Sequence, residues 1–360
     1  MKVVITGASG NVGTALLRHL AVAAPDWSIV GLCRRPPPPE DPAYTRVKWT
    51  PCDIADPGSS AVLEAAFAGA DAVVHLAWAI QPNRDEAALA ATNIDGSRRV
   101  FRAAMDAGVG QLVHASSIGA YGAGPKDRPV DESWPTDGIP SSSYSRHKAT
   151  LEHDLDELER QPGAPVVTRL RPSLIFQRDA GSEVARYFLG PLFPTRLAGA
   201  RWVPLLPVPD ELVFQAVHAA DVADAYWRVL DLRAGGAFNV AAEPVMTPDR
   251  LAEVFRGRRV GLPTAALRRL VALTWRAKLQ PTDPGWIDMA AGVPVMSTAR
   301  ARAELDWVPH HDARSALADL LAGMGHGAGT SSPVMAPRAT WWRRVLATAR
   351  WQRLVPGLRG

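Results

Sequence analysis

Residues 3–13 read Val3-Val4-Ile5-Thr6-Gly7-Ala8-Ser9-Gly10-Asn11-Val12-Gly13, and this stretch decides the fold. An apolar run leads into a turn with a glycine at every third position, and a helical pattern follows. Gly7 permits a tight turn, Gly10 lets the backbone approach a phosphate, and Gly13 lets the helix pack close to the strand. The helix N-terminus offers free N–H groups to an anion. The sequence therefore predicts a strand–turn–helix unit that binds the pyrophosphate of a dinucleotide, rather than a plain connecting turn.

A second group of residues predicts a catalytic site in addition to the dinucleotide-binding turn. Tyr144 and Lys148 lie four residues apart in a segment, 143–158, that has a helical pattern, so they share one helix face. Ser117 follows the apolar run 112–115. A lysine cation beside a phenol favours the tyrosinate and lowers the pKa of the tyrosine. We therefore expect Tyr144 to exchange a proton with a substrate oxygen, which Ser117 holds by a hydrogen bond, rather than to form a plain surface pair with Lys148.

Strand-like and helical runs alternate through residue 171, which predicts an α/β fold with a doubly wound parallel Rossmann sheet. The predicted strands are 3–6, 29–33, 47–50, 72–76, 112–115 and 165–170. From residue 172 the pattern loosens into proline-rich loops and short elements. We expect residues 1–171 to form the NAD(P)-binding domain. Residues 172–322 are expected to form a smaller C-terminal substrate-binding lobe, with segments that return to the sheet.

The C-terminal part has a different composition. Residues 323–338 are rich in Gly, Ser, Pro and Ala, and they predict a flexible linker. Residues 339–360 form a basic tail that contains Trp341, Trp342 and Trp351. Two interpretations of this tail stay open. It contacts an acidic membrane or partner surface, or it folds back on the body of the protein or on a second subunit.

Charge and composition limit the function classes. The net charge is +4, but residues 340–360 carry five arginines and no acid, so the rest of the chain has a charge of −1. The body therefore has no basic surface that would predict nucleic-acid binding. Cys33 and Cys52 follow predicted strands, and no apolar run is long enough to span a membrane. We expect a cytoplasmic protein with a small-molecule substrate and no metal site; a homodimer stays open.

At this point the chain resembles the extended short-chain dehydrogenase/reductase superfamily, of the NAD-dependent epimerase/dehydratase type. The resemblance covers residues 1–322 and rests on motifs that occur in the family's order. They are Thr6 to Gly13, Asp71 to Ala77, Asn93 to Gly96, Ser116 to Gly122, Tyr144 with Lys148, Leu170 to Pro172, His218 to Ala223 and Glu304 to Pro309.

The resemblance implies a set of site residues. The implied catalytic residues are Ser117, Tyr144, Lys148 and Asn93. The implied cofactor-binding residues are Gly7, Gly10, Asn11, Val12, Gly13, Asp53, Ile54, Leu76, Ala77, Tyr144, Lys148 and Pro172, and Arg34 and Arg35 join them on the argument below. Trp78, Ser117 and Phe176 are the expected substrate contacts, within an apolar pocket to which Ile80, Tyr187, Phe188 and Trp202 would add.

The end of the second predicted strand bears on the choice of cofactor. Sites that prefer NAD carry an acid about 20 residues after the glycine turn, where it binds the ribose 2′-hydroxyl. This chain has Arg34 and Arg35 there and no acid. A guanidinium suits a 2′-phosphate, although it can also stack on adenine. The sequence therefore favours NADP(H) over NAD(H).

Departures from the family pattern reduce the number of candidate reactions. Ile118 and Gly119 stand where the related dehydratases carry an Asp-Glu pair, and Pro172 follows Arg171 as in the reductase and hydroxysteroid-dehydrogenase branches. We expect an NAD(P)-dependent oxidoreductase that interconverts a hydroxyl and a carbonyl on a fairly apolar molecule. The alternatives are a nucleotide-sugar 4-epimerase with tightly bound NAD and a non-catalytic regulator that senses the cofactor. An intact Ser117–Tyr144–Lys148 set is more typical of an enzyme.

Overall fold

The structure is a computed structural model that describes residues 1–81, 84–189, 195 and 203–337. Its strands are β1 (Lys2–Thr6), β2 (Ser28–Cys33), β3 (Val47–Pro51), β4 (Ala72–His75), β5 (Gln111–Ala115), β6 (Pro129–Val130), β7 (Val166–Pro172), β8 (Leu174–Phe176), β9 (Leu205–Val208), β10 (Phe214–His218), β11 (Gly236–Val240), β12 (Ala242–Met246), β13 (Arg258–Gly261) and β14 (Val295–Met296). Its α-helices are α1 (Asn11–Ala23), α2 (Ser60–Phe67), α3 (Glu86–Ala90), α4 (Ser97–Asp106), α5 (Ser143–Glu159), α6 (Gly181–Val184), α7 (Ala219–Asp231), α8 (Pro248–Val254), α9 (Thr264–Arg276), α10 (Gly285–Gly292), α11 (Ala299–Leu305) and α12 (Ala313–His326).

A seven-stranded parallel sheet forms the centre, in the order β11-β7-β5-β4-β1-β2-β3. Its strands are apolar on both faces because helices cover both. Val3 and Ile5 of β1 belong to one core cluster, which α1 and α7 share, whereas Val4 belongs to the cluster on the opposite face. The predicted Rossmann-type sheet is therefore confirmed. The strand order reverses at β1 and β4, so the carboxyl ends of these two strands form the crevice where ligands bind in such sheets.

The chain returns to the sheet after residue 171, because β11 pairs in parallel with β7. The smaller lobe holds a three-stranded sheet in the order β12-β10-β8, and β9 pairs with β13. None of the helices in the described ranges is long and apolar enough to cross a bilayer.

The structure differs from the predicted linker at residues 323–338. Gly323 lies inside α12, and Thr330, Ser332 and Met335 are buried. Composition alone suggested a solvated segment, but its hydroxyls and its methionine find partners at the N-terminal end of the chain. We call residues 327–337 the cover segment. The tail at 339–360, with its tryptophans, lies outside the described residues.

The cover segment contacts the glycine turn and the start of α1. The Ser332 hydroxyl donates to the carbonyl oxygen of Ser9 at 2.7 Å. The Tyr44 hydroxyl is 2.9 Å from the Thr330 hydroxyl and 3.0 Å from that of Thr14 in α1. The bond between Ser332 and Ser9 ties the glycine turn to a residue 323 positions away in the chain.

Candidate active site

The glycine turn has no room for side chains at two positions. Gly7 has a φ of +71°, and a Cβ there would lie 2.6 Å from the backbone nitrogen of Ala77. A Cβ on Gly13 would lie 2.5 Å from the carbonyl oxygen of Ala8. The turn therefore packs directly against the end of β4, while Gly10 caps α1 in an extended conformation. This cradle at a helix N-terminus fits the pyrophosphate of a dinucleotide.

Asn11 and Val12 connect this cradle to the rest of the molecule. The Gln177 side-chain amide donates to the backbone oxygen of Asn11 at 3.0 Å and to its Oδ1 at 2.5 Å. Val12 packs against the core cluster that α1 shares with α7. Gln177 lies just after β8 in the lobe, so the lobe holds the turn from one side.

The predicted adenine end lies at the ends of two neighbouring strands. Arg34 and Arg35 follow β2 directly and are exposed, and no ion pair holds either of them within the described ranges. Asp53 follows β3, and its Oδ1 accepts from the backbone of Ala55 at 3.1 Å. Ile54 is buried. The structure therefore brings the two exposed arginines and Asp53 to one edge of the sheet.

Three further predicted cofactor contacts lie where strands end. Leu76 and Ala77 are half-buried after β4, and the Leu76 amide donates to the Thr6 oxygen at 3.0 Å. Pro172 ends β7 and is buried beside Val240 of β11. Leu76 and Ala77 thus border the glycine turn, whereas Pro172 is packed inside the sheet.

The structure brings Ser117 and Tyr144 together. The Ser117 hydroxyl lies near enough to the Tyr144 phenol to lower its pKa, and it accepts a hydrogen bond from the Gly119 amide at 3.0 Å. A Cβ on Gly119 would lie 2.8 Å from the ring of Tyr144, so only glycine lets the turn approach α5 this closely. The Ser145 hydroxyl donates to the Gly119 oxygen at 2.5 Å and fixes the helix on the turn.

The electrostatics of Tyr144 differ from the expectation. Burial raises the pKa of Tyr144, and the hydrogen bond from Ser117 opposes that rise. The Lys148 Nζ lies 5.9 Å from the centroid of the Tyr144 ring. The net shift of the Tyr144 pKa is therefore upward, opposite to the predicted lowering by Lys148, because burial is its largest cause.

Lys148 has two close contacts of its own. Its Nζ donates to the backbone oxygen of Ala115 at 2.6 Å and lies 3.4 Å from the centroid of the Trp78 ring. Burial lowers the pKa of Lys148 to about 7, and the charge of Glu152 opposes that shift. An ammonium with such a pKa can gain and lose a proton near neutral pH.

A buried ion pair beneath the site was missed by the sequence reasoning. The two Glu152 oxygens accept from Arg171 at 2.9 and 2.7 Å, and the Ser116 hydroxyl also donates to Glu152. Burial alone would raise the pKa of Glu152, but Arg171 holds that pKa below its usual value. Glu152 lies four residues after Lys148 on the same helix face, and this spacing was the available signal. The pair fixes the end of β5, where Ser117 lies, against α5.

The side chain of Asn93 forms hydrogen bonds with the backbone of Ala79. Its Oδ1 accepts from the Ala79 amide at 2.8 Å, and its Nδ2 donates to the Ala79 oxygen at 2.9 Å. Both ends of the amide thus hold the loop that carries Trp78. In this structure Asn93 positions that loop, and its catalytic role stays a prediction.

Aromatic rings enclose Tyr144. The Trp78 ring meets it edge-on at 5.7 Å between centroids, and the Trp286 ring of α10 lies at 4.9 Å. Phe188 contacts Trp286 edge-on at 4.9 Å. Trp286 was not predicted, because its segment has no motif. The predicted substrate contact Phe176 packs against the apolar cluster that contains the buried leucines of α12. Trp202 lies outside the described residues.

Two curated relatives match parts of the chain. A protein of Haloferax volcanii named NAD-dependent glucose-6-phosphate dehydrogenase is 36% identical over 34% of this chain and 45% of its own length. A protein of Escherichia coli O157:H7 named N-acetyl-α-D-glucosaminyl-diphospho-ditrans,octacis-undecaprenol 4-epimerase is 29% identical over 62% of this chain and 65% of its own length. The chain therefore covers less than two thirds of either relative.

A solved structure and a family model agree on the fold. The Thermus thermophilus UDP-glucose 4-epimerase, solved in complex with NAD, has a TM-score of 0.66 and 20% identity, over 90% of this chain and 99% of that one. The model of the family described as NAD dependent epimerase/dehydratase matches residues 3–241, which include the glycine turn and the Ser117–Tyr144–Lys148 set. This chain therefore belongs to the NAD-dependent epimerase/dehydratase family.

Proposed function

We propose that this protein is an NAD(P)-dependent oxidoreductase that interconverts a hydroxyl and a carbonyl on a fairly apolar small molecule, with Tyr144 as general acid and base. The observation that carries the proposal is the placement of Ser117 beside Tyr144: the Ser117 hydroxyl acts to lower the pKa of the phenol, and the turn at Gly119 packs directly on the Tyr144 ring. A phenol whose pKa is raised stays protonated and can donate to a carbonyl oxygen.

The proposed roles follow from the contacts. The turn of Gly7, Gly10 and Gly13 would hold the pyrophosphate of the dinucleotide, which when bound would supply hydride-transfer chemistry at the carbon that bears the reacting oxygen. In the reductive direction the Tyr144 hydroxyl donates its proton to that oxygen, while Ser117 donates a hydrogen bond to it. Lys148, with a pKa of about 7, returns a proton to the tyrosinate.

The surroundings of Tyr144 support an apolar substrate. Trp78 and Trp286 flank the phenol, and Ile118 and Met289 belong to the same apolar cluster. Such a wall favours a ring or an alkyl chain next to the reacting carbon.

The test replaces the phenol. Tyr144→Phe is expected to lower turnover of hydrophobic ketones with NADPH by about 100-fold or more, since the proton donor is lost and the ring still packs. Cofactor affinity, measured by titration calorimetry, should stay within about twofold. Tyr226→Phe, which also removes a buried phenol, is the control and should retain activity. A Tyr144→Phe enzyme with more than about a tenth of the wild-type turnover would contradict the proposal.

We also propose that the cofactor is NADP(H) rather than NAD(H). The support is the exposed Arg34–Arg35 pair at the adenine end, whereas the Thermus neighbour carries NAD. Arg34→Ala with Arg35→Ala should cost NADP(H) binding about 1.5–3 kcal/mol more than NAD(H) binding. Arg160→Ala, an exposed arginine at the end of α5, is the control. Equal losses for both cofactors would indicate stacking on adenine.

The second candidate is a 4-epimerase acting on a nucleotide-linked or lipid-linked sugar, and the Escherichia coli relative's name supports it. It uses the same three residues but keeps its NAD through the cycle. Mass spectrometry of the purified protein distinguishes the two: retained NAD favours the epimerase, and readily exchanged NADPH favours the reductase.

A further inference from the structure

Helix α9 has an outward apolar face. None of its residues is buried, whereas every other helix of eight or more residues within the described ranges buries some of its side chains. Ala266, Leu270, Leu273 and Ala277 are spaced four, three and four residues apart, so they form one strip along the helix. Leu270 is 57% exposed and Leu273 is 63% exposed. We call this strip the α9 face.

The α9 face lies in a basic part of the chain. Residues 254–282 contain no acid, and their basic residues are Arg256, Arg258, Arg259, Arg268, Arg269, Arg276 and Lys278. Arg268 is paired with Asp288, and Arg259 with Asp210. Arg269 and Arg276 lie seven residues apart beside the apolar strip, and neither has an acidic partner in the portion of the chain that the structure covers. Exposed leucines beside unpaired arginines are typical of a helix that lies on an anionic membrane surface.

Two other possible partners of the α9 face, the tail of this chain and a second copy of the chain, are less complementary to its positive charge. The tail beyond residue 337 carries five arginines and no acid, so it would meet the α9 face with like charge. A second copy of the chain would bring the same basic patch against itself in a twofold interface. An anionic lipid surface supplies both an apolar phase for the leucines and phosphates for the arginines.

Contacts connect α9 to the aromatic wall around Tyr144. Gln280, just after α9, donates to the backbone oxygen of Thr282 at 2.8 Å, and Thr282 donates to that of Phe188 at 2.6 Å. Phe188 contacts Trp286, which lies on Tyr144. The helix therefore lies on the side of the molecule that carries the proposed substrate wall.

We propose that the α9 face attaches this protein to an anionic membrane surface and that its apolar substrate is taken from that surface. The second half of this statement rests on the proposed function. Leu270 and Leu273 insert below the headgroups, while Arg269 and Arg276 meet the lipid phosphates.

The test is co-sedimentation of the full chain with vesicles of phosphatidylcholine that contain about one third phosphatidylglycerol. Leu270→Ser with Leu273→Ser, and separately Arg269→Gln with Arg276→Gln, should each lower the bound fraction by about fivefold or more. Binding should also fall with added salt and with pure phosphatidylcholine. Val22→Ser with Leu232→Ser changes residues that are 84% and 55% exposed elsewhere, and this control should bind as the wild type does.

Three results would overturn the proposal. The first is unchanged vesicle binding in both α9 variants, which would assign adsorption to the tail; truncation after Pro337 would then abolish it. The second is no binding of the full chain at all. The third is a dimer in light scattering that the α9 variants dissociate, which would make a second copy the occupant.

Kinetics test the substrate half. With a water-soluble ketone the α9 variants should match the wild type, and with a long-chain ketone carried in the same vesicles their turnover should fall about in proportion to binding. Equal turnover of the vesicle-borne ketone by variant and wild type would overturn that half. Vesicle binding needs no turnover, so its result is independent of whether Tyr144→Phe contradicts the proposed function.

Discussion

Helices α5 and α9 are both rich in charged residues, and the structure uses those charges in opposite ways. Helix α5 buries Lys148 and Glu152 and surrounds them with Ala115, Trp78 and Arg171. Helix α9 buries none of its residues, and Arg269 and Arg276 are exposed beside exposed leucines. Burying a charge costs free energy unless it is paired, so a charge that is kept buried indicates a site. The comparison teaches that burial, rather than residue type, separates the chemical helix from the surface helix.

The largest effect on stability is expected at Glu152. Glu152→Gln keeps the shape of the side chain but leaves Arg171 and Arg169 without their buried anion. We expect a loss of about 3–5 kcal/mol in the free energy of unfolding, measured by urea denaturation. Glu157→Gln, on the exposed side of the same helix, should change it by less than about 0.5 kcal/mol. If both variants lost less than about 0.5 kcal/mol in the free energy of unfolding, burial of a charge would not determine its effect on stability.

A smaller effect with a defined pH dependence is expected at Lys148. Burial lowers the pKa of Lys148 to about 7 in the folded protein, against about 10.4 for an unperturbed lysine. Between these values the unfolded chain binds one proton more than the folded one, so the free energy of unfolding should rise with pH by up to about 1.4 kcal/mol per unit. Below pH 7 both states bind the proton and this slope disappears.

The measurement compares wild type with Lys148→Met at several pH values from about 6 to 9 by urea denaturation. The free energy of unfolding of the wild type minus that of Lys148→Met should stay constant below about pH 7 and should increase with pH above it. A difference that stays constant over this range would mean that the contacts with Ala115 and Trp78 keep the ammonium charged, and that burial does not dominate.

The smallest effect is expected on α9. Arg269→Gln with Arg276→Gln should change the free energy of unfolding by less than about 0.5 kcal/mol, because neither guanidinium is buried or paired with an acid in the described chain. Thermal unfolding without vesicles checks this. A loss of more than about 1 kcal/mol would mean that Arg269 and Arg276 stabilise α9, and the contrast in burial between α5 and α9 would then not extend to their charges' effect on stability.

Local patterns explain how much could be predicted from the sequence. Strand β1, the glycine turn and α1 follow one another within 23 residues, and each has its own signal, so their positions could be predicted. The positions of Ser117, Tyr144 and Lys148 at one strand end and on one helix could be predicted in the same way, whereas their catalytic role stays a prediction. The family model over residues 3–241 agrees with that part.

Contacts between distant segments explain what could not be predicted. Arg171 on β7 contacts Glu152 on helix α5, and Trp286 contacts Tyr144 from a segment without a motif. The cover segment has the composition of a linker, yet Met335 is fully buried. The apolar residues of α9 would have the same helical spacing whether they packed in a core or faced the solvent. Only the structure shows that they face the solvent.

The cover segment has a consequence for synthesis. Ser332 is 323 residues after Ser9, whose oxygen it binds. At a translation rate of about 5–20 residues per second, that hydroxyl is made roughly 15–65 seconds after the turn it covers. During that interval the glycine turn lacks its bond with Ser332. A chain that ended before Thr330 would lack the contacts of the cover segment permanently.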